Sequence, residues 1–186
     1  MGELKHHVAR SELDGLTGIF TRAAFLRRLG LLLQAARDKG IECHIGDADI
    51  DNFKRVNDTW GHAFGDEAIR EVANRLSTII KGRGIAARMG GDEFAFAMVR
   101  RPGERPLTEE TQLLSDRLSS FTLKIGKELV QIGASAGVFS FGIPKPSDTA
   151  DSVLASADEL MYQVKRSGKG RCLTGSAEPT GPSAAA

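Results

Sequence analysis

Two short acidic stretches hold the side chains best suited to chemistry: Asp49-Ile50-Asp51 and Asp92-Glu93. Asp92 and Glu93 directly follow Gly90-Gly91, two residues without side chains, so a ligand can approach the backbone beside two carboxylates. Mg²⁺ in phosphate chemistry takes one or two protein carboxylates and completes its octahedron with water and phosphate oxygens. If the strand that ends at Asp49 lies beside Asp92, the two carboxylates meet at one sheet edge. Asp47 and Asp51 share strand parity with Asp49 and rank below it. The plain alternative is that acidic residues at strand ends are simply solvated.

Phe53-Lys54 follows at a turn into a helix, where backbone N–H groups bind phosphate and a lysine adds a point charge. The glycine spacing of a Walker A loop is absent. Asn57 and Asp66 flank the next turn. A carboxylate can accept from the N1–H and exocyclic amine of guanine, and an amide can donate to O6 or N7. Capping of glycine turns is the competing role for both. Lys165, Arg166, Lys169 and Arg171 cluster at a helix end, where cations also complement the helix dipole.

The elements that must position these groups can be read from periodicity. Gly84–Met89 and Phe94–Val99 form strands joined through Gly90-Gly91, a β-hairpin whose turn needs φ > 0. Residues 21–38 repeat apolar residues at helical spacing, with Thr21 as N-cap and Lys39-Gly40 as the stop. Glu42–Asp49 is a weaker strand, with thin apolar content for a central position. A short helix follows Asn52, Gly61–Asp66 reads as a turn, and 65–80 as a helix. A helix from Thr108 to about Ser120 precedes a second hairpin, Thr122–Ile125 with a long arm Leu129–Phe139. A last helix at 150–166 leads to a brief strand at Cys172-Leu173. Hairpins interleaved with helices imply an α+β domain: a mainly antiparallel central sheet flanked by helices, containing the split βαβ pattern of a ferredoxin-like core.

The chain has 186 residues, enough for one well-packed domain. Its net charge of +1 sets up no global field for nucleic acid or for a membrane surface. Cys43 and Cys172 are far apart and in no metal-ligand spacing, which suits reduced thiols and a cytoplasmic location. No apolar run approaches the roughly 20 residues of a membrane span.

Taken together, four separated motifs resemble the GGDEF domain of bacterial diguanylate cyclases over about residues 14–173. They are Asp14-x-Leu16-Thr17-Gly18-x-x-x-Arg22, Asp49-x-Asp51-x-Phe53-Lys54-x-x-Asn57-Asp58-x-x-Gly61-His62-x-x-Gly65-Asp66, Arg88-x-Gly90-Gly91-Asp92-Glu93-Phe94 and Lys165-x-Ser167-Gly168. The resemblance implies condensation of two GTP into cyclic di-GMP and pyrophosphate, on a fold like the palm of nucleotidyl cyclases. It implies Mg²⁺ or Mn²⁺ held by Asp49, Asp92 and the carbonyl of Ile50, with Glu93 activating the 3′-hydroxyl or placing a second metal. Phe53, Lys54, Lys165 and Lys169 would contact phosphates; Asn57 and Asp66 would read guanine, with His62 nearby.

The family pattern further implies a homodimer for catalysis and an upstream sensory domain; the near-neutral charge implies no nucleic-acid partner, and the cysteines a cytoplasmic place, at the cytoplasmic face if the full-length protein is membrane-anchored. Residues 1–13 are then a stub of an upstream helix or linker, 14–174 the catalytic domain, and 175–186 a disordered tail. A non-catalytic GTP- or cyclic-di-GMP-binding module is the alternative, and a related cyclase using ATP is a second. The chain departs from the family where an inhibitory Arg-x-x-Asp is often found: it reads Lys81-Gly82-Arg83-Gly84. Lys169 stands for a common arginine, Thr21 for an asparagine, and His44, Gly46 and Asp47 interrupt a usually apolar run.

Overall fold

Thr21 caps the first long helix as its spacing predicts: its hydroxyl accepts from the N–H of Ala24 at 3.4 Å. The computed structural model describes residues 12–100, 103–104, 106–168 and 170–176. In chain order the elements are β1 Phe20–Thr21, α1 Arg22–Lys39, β2 Glu42–Ile50, α2 Phe53–Trp60, α3 His62–Ile80, β3 Gly84–Gly90 and β4 Glu93–Arg100. They continue as α4 Leu107–Leu118, β5 Phe121–Ile125, β6 Glu128–Ile132, β7 Ala134–Gly142, α5 Ala150–Ser167 and β8 Cys172–Ser176. Gly40 ends α1 in the left-handed conformation, which glycine adopts without steric penalty.

Among the described residues the main sheet has six strands in the order β1-β3-β4-β2-β7-β8. Its four central strands pair antiparallel, while the edge strands β1 and β8 pair parallel to β3 and β7. The expected α+β domain with a mainly antiparallel sheet is therefore present, the two edge strands supplying its parallel pairs. Phe94, Phe96 and Met98 alternate onto one face and pack with Ile69, Val72 and Leu76 of α3 and Leu114 and Leu118 of α4. Ala95 and Ala97 face the other way, onto Phe25, Leu29 and Leu33 of α1 and Ala157 of α5. Small residues on that face let both helices lie close to the sheet.

Four local expectations need correction. β2 is central, between β4 and β7, not a weak strand. Its glycine is the reason: a Cβ at Gly46 would stand 2.0 Å from Cζ of Phe96, so the ring occupies the room that a side chain would take. Next, a register shift between Arg88 and Gly90 takes Met89 out of the ladder, so Gly90 pairs with Glu93. The two-residue loop is thus Gly91-Asp92, and Asp92 lies in the turn itself.

The stretch Gly61–Asp66 is no extended turn; only Gly61 breaks the chain, and His62 already starts α3. Finally, the long arm after the second hairpin is two strands in two sheets. Among the described residues β6 pairs only with β5, and β7 joins the main sheet. They part at Gly133, where a Cβ would meet the carbonyl oxygen of Ser119 at 2.3 Å.

Candidate active site

Asp49 and Asp92 come together at one end of the sheet. Asp49 is the penultimate residue of β2 and lies directly opposite Glu93 of β4, so both point to the α1–α5 face. The next residue, Ile50, donates its N–H to the carbonyl of Asp92 at 3.3 Å, which sets the turn against the strand end. Arg88 braces that turn: its Nε donates to the carbonyl of Gly91 at 2.9 Å, and its Nη1 lies 3.5 Å from Asp14 Oδ2. Asp14 in turn accepts from the N–H and hydroxyl of Thr17 at 3.0 and 2.7 Å. The first and third motifs are therefore one mechanical unit.

Lys165, in the last turn of α5, reaches the same place. Its Nζ donates to Asp49 Oδ2 at 2.9 Å. Burial pulls the Lys165 ammonium down, but the Asp49 hydrogen bond and the charges of Asp49, Glu93 and Asp47 outweigh it and hold it above the ordinary lysine value. Asp92 is pushed up by burial and by the adjacent Asp49 charge. The pair of carboxylates thus carries a surplus of negative charge that a cation would relieve.

Among the described residues no three His, Cys, Asp or Glu side chains form a ready cation cage. Two carboxylates and the Ile50 carbonyl fit a hard ion that draws its remaining ligands from water and phosphate, which is the Mg²⁺ habit rather than that of a closed structural metal. Asp51 does not join the pair. Both of its carboxylate oxygens are occupied by Ser135 and Gly170.

Beyond β2, Asn52 takes a left-handed conformation (φ 56°, ψ 33°) and launches α2, so the N–H groups at Phe53 and Lys54 open at the edge where Asp49 ends. Lys54 is exposed and Phe53 half-buried. One turn later Asn57 lies against α3. Gly65 makes that possible: a Cβ there would stand 2.0 Å from Asn57 Oδ1 and 3.2 Å from the Phe53 ring. Asn57 Oδ1 is buried and has no hydrogen-bond partner in the protein. The absence of a Gly65 side chain is what lets this amide oxygen pack against α3. Asp66, half-buried, follows Gly65, and His62 is exposed at the start of α3. Lys169 lies outside the described residues, as do the tail beyond Ser176 and residues 1–11 of the expected stub.

Asp47 was legible only as a lower-ranked carboxylate. It faces a cleft of about 350 Å³ between α1 and α5, together with Arg22, Glu93 and Asp158. Burial, then the charges of Asp158 and Glu93, push its carboxyl up to about 7. A second cleft, of about 570 Å³, lies between α2 and the β5–β6 hairpin, lined by Asn52, Arg55, Trp60 and Gln131. The carboxylate pair belongs to neither wall of that cleft.

The family model for "Diguanylate cyclase, GGDEF domain" matches residues 11–171. The chain belongs to the GGDEF-domain family. This GGDEF chain is 33% identical to the response regulator PleD of Caulobacter vibrioides over 172 residues, 89% of its own length and 36% of that protein. It is 30% identical to the diguanylate cyclase VdcA of Vibrio cholerae over 179 residues, 93% of its own length and 51% of that protein. The chain therefore spans about half or less of these two relatives. Among solved structures it is similar to the coiled coil and GGDEF domain of DgcB from Caulobacter crescentus, in complex with c-di-GMP. That similarity has a TM-score of 0.79 and 30% identity, and covers 94% of this chain and 93% of that one. No helix among the described residues is long and apolar enough to cross a membrane.

Proposed function

We propose that this GGDEF domain is a diguanylate cyclase that binds one GTP per chain and joins two GTP into cyclic di-GMP with release of pyrophosphate. The observation that carries the reading is the meeting of Asp49 and Asp92 at the sheet edge, beside the N-terminus of α2 and under Lys165. Asp49, Asp92 and the Ile50 carbonyl would hold Mg²⁺ or Mn²⁺. Such an ion supplies charge neutralisation for phosphoryl transfer. Phe53 and Lys54 offer backbone N–H groups and a cation to the β- and γ-phosphates, with Lys165 on the other side; the resemblance adds Lys169 as a further phosphate contact. Asn57 and Asp66 would read the base, the Asn57 amide N–H donating to O6 or N7 and the Asp66 carboxylate accepting from N1–H and the exocyclic amine, and His62 lies close in sequence to both.

In the reaction the 3′-hydroxyl oxygen of one GTP attacks the α-phosphorus of the other, the bond from that phosphorus to the bridging oxygen breaks, and pyrophosphate leaves. Glu93, exposed opposite Asp49 in the register, would take the hydroxyl proton or position a second ion. Protein positioning supplies most of the catalysis in such displacements. One chain offers one such site, so two chains must face each other to close both phosphodiester bonds, and the active species is a homodimer.

The test is incubation with Mg²⁺ and either GTP or ATP, with products identified by mass. Wild type yields cyclic di-GMP from GTP, Asp49→Asn yields none, and specific activity rises with protein concentration. GTP binding without product in every condition, dimers included, would instead leave a non-catalytic binding module.

A further inference from the structure

Asp51 ends up with a different task from its neighbour Asp49. Its Oδ1 accepts from the hydroxyl of Ser135 at 2.7 Å and its Oδ2 from the N–H of Gly170 at 2.9 Å. The same Gly170 N–H reaches Ser135 Oγ at 2.9 Å, and Ser135 is fully buried. The three residues close a small ring. It joins the turn between β2 and α2, the first residues of β7, and the loop that follows α5. Two backbone bonds flank it: Asp51 N–H to the Gly133 carbonyl at 2.8 Å, and Ala136 N–H to the Arg171 carbonyl at 3.0 Å. Gly170 is in the left-handed conformation (φ 64°), which turns its N–H inward to the carboxylate.

The ring spans the two walls of the proposed phosphate site. On one side, Asp51 immediately precedes Asn52 and the N–H groups of Phe53 and Lys54. On the other, Gly170 is five residues past Lys165 and anchors the chain that leaves the end of α5. A charge-assisted hydrogen bond to a backbone N–H is about twice as strong as a neutral one, so a carboxylate here holds the two walls more firmly than an amide would. With both oxygens committed, Asp51 is not available as a metal ligand.

We propose that Asp51 is a positioning residue, which fixes the distance between the α2 phosphate turn and Lys165 through Ser135 and Gly170 and so determines how much affinity each added phosphate brings. The proposal rests on the reading of this site as a GTP site. Asp51→Asn keeps the shape but removes the charge and leaves one amide oxygen to accept where two carboxylate oxygens did, and Ser135→Ala removes one side of the ring while leaving the direct Asp51–Gly170 bond.

Calorimetry with GMP, GDP and a GTP analogue blocked at the α,β-bridge, in Mg²⁺, separates the possibilities. In wild type, affinity rises with phosphate number; a flat series overturns the GTP-site reading itself. In Asp51→Asn, triphosphate affinity falls by about tenfold, GMP affinity stays within about twofold of wild type, and the melting temperature moves little. Ser135→Ala shows a smaller loss of the same kind, and the double variant is no worse than Asp51→Asn, because both act through one ring. Equal weakening for GMP and the triphosphate, or no weakening in either variant, overturns the proposal. If Asp51→Asn fails to fold, the Ser135→Ala series decides alone.

Discussion

Lys165 Nζ lies 2.9 Å from Asp49 Oδ2, a contact made across 116 residues of chain. One ammonium thus sits on a carboxylate that the proposed chemistry reserves for a divalent ion. An arriving triphosphate offers Lys165 stronger partners, and its departure frees Asp49. Lys165→Met should therefore raise the affinity of the nucleotide-free chain for Mn²⁺ by about two- to fivefold, the range of a partly exposed ion pair. It should also lower affinity for the triphosphate. A Mn²⁺ titration followed by electron paramagnetic resonance, with and without nucleotide, reads both; unchanged or weaker Mn²⁺ binding contradicts the competition.

The Gly65–Asn57 packing makes a sharper test of the base pocket. Gly65→Ala adds one methyl group within a helix, where alanine is intrinsically favoured by about 1 kcal/mol. That methyl would sit 2.0 Å from Asn57 Oδ1 and must push the amide aside. Guanine-nucleotide binding is expected to fall by about tenfold or more, while the melting temperature stays near wild type. Asp66→Ser, by contrast, should narrow the gap between GTP and ATP rather than abolish binding. Competition binding with the two nucleotides checks both variants.

Product control at Lys81–Gly84 is expected to be absent, and a simple restoration should fail. Arg83 already spends its guanidinium on Glu110, at 2.8 and 3.0 Å. A Cβ at Gly84 would stand 1.9 Å from the carbonyl oxygen of Ala97 in the paired strand β4. Lys81→Arg with Gly84→Asp should destabilise the domain by about 1–3 kcal/mol, the range for overpacking. Tight cyclic di-GMP binding at this position, by calorimetry on wild type or on the double variant, contradicts the expectation.

Both thiols are held protonated by their surroundings. Burial pushes Cys43 and Cys172 up to about 12 from an ordinary value of 9.0. The unfolded chain therefore loses these protons as pH rises past about 9, and the folded chain keeps them until about 12. Because the folded state binds more protons in that window, stability falls as pH rises through it. Urea midpoints at pH 8 and pH 10 should show the decline, and Cys43→Ser with Cys172→Ser should flatten it. At pH 8 the native thiols should resist an alkylating reagent that modifies both after unfolding.

Much of this domain is written locally. The alternation of Phe94, Phe96 and Met98, the helical repeats of α1, α3 and α5, and the caps at Thr21 and Gly40 each depend on neighbours a few residues away. They were legible because periodicity and backbone preference act at short range. β2 was misjudged because its central place depends on Phe96, fifty residues on, which fills the space above Gly46. The tip of the hairpin was placed one residue early, since a bulge at Met89 is a property of pairing and not of composition.

The sequence by itself determined which residue types are available: two acidic stretches, a helix start with Lys54, an Asn–Asp pair around glycines, and the order of motifs that marks the GGDEF family. Only the tertiary structure decided what each carboxylate touches. Asp49 and Asp51 have the same chemistry and the same strand parity, yet one meets Asp92 and Lys165 while the other is bound at both oxygens by Ser135 and Gly170. The physical reason is that a hydrogen bond or an ion pair is fixed within a few ångströms in space. Spacing along the chain does not name partners that lie 43 to 119 residues away.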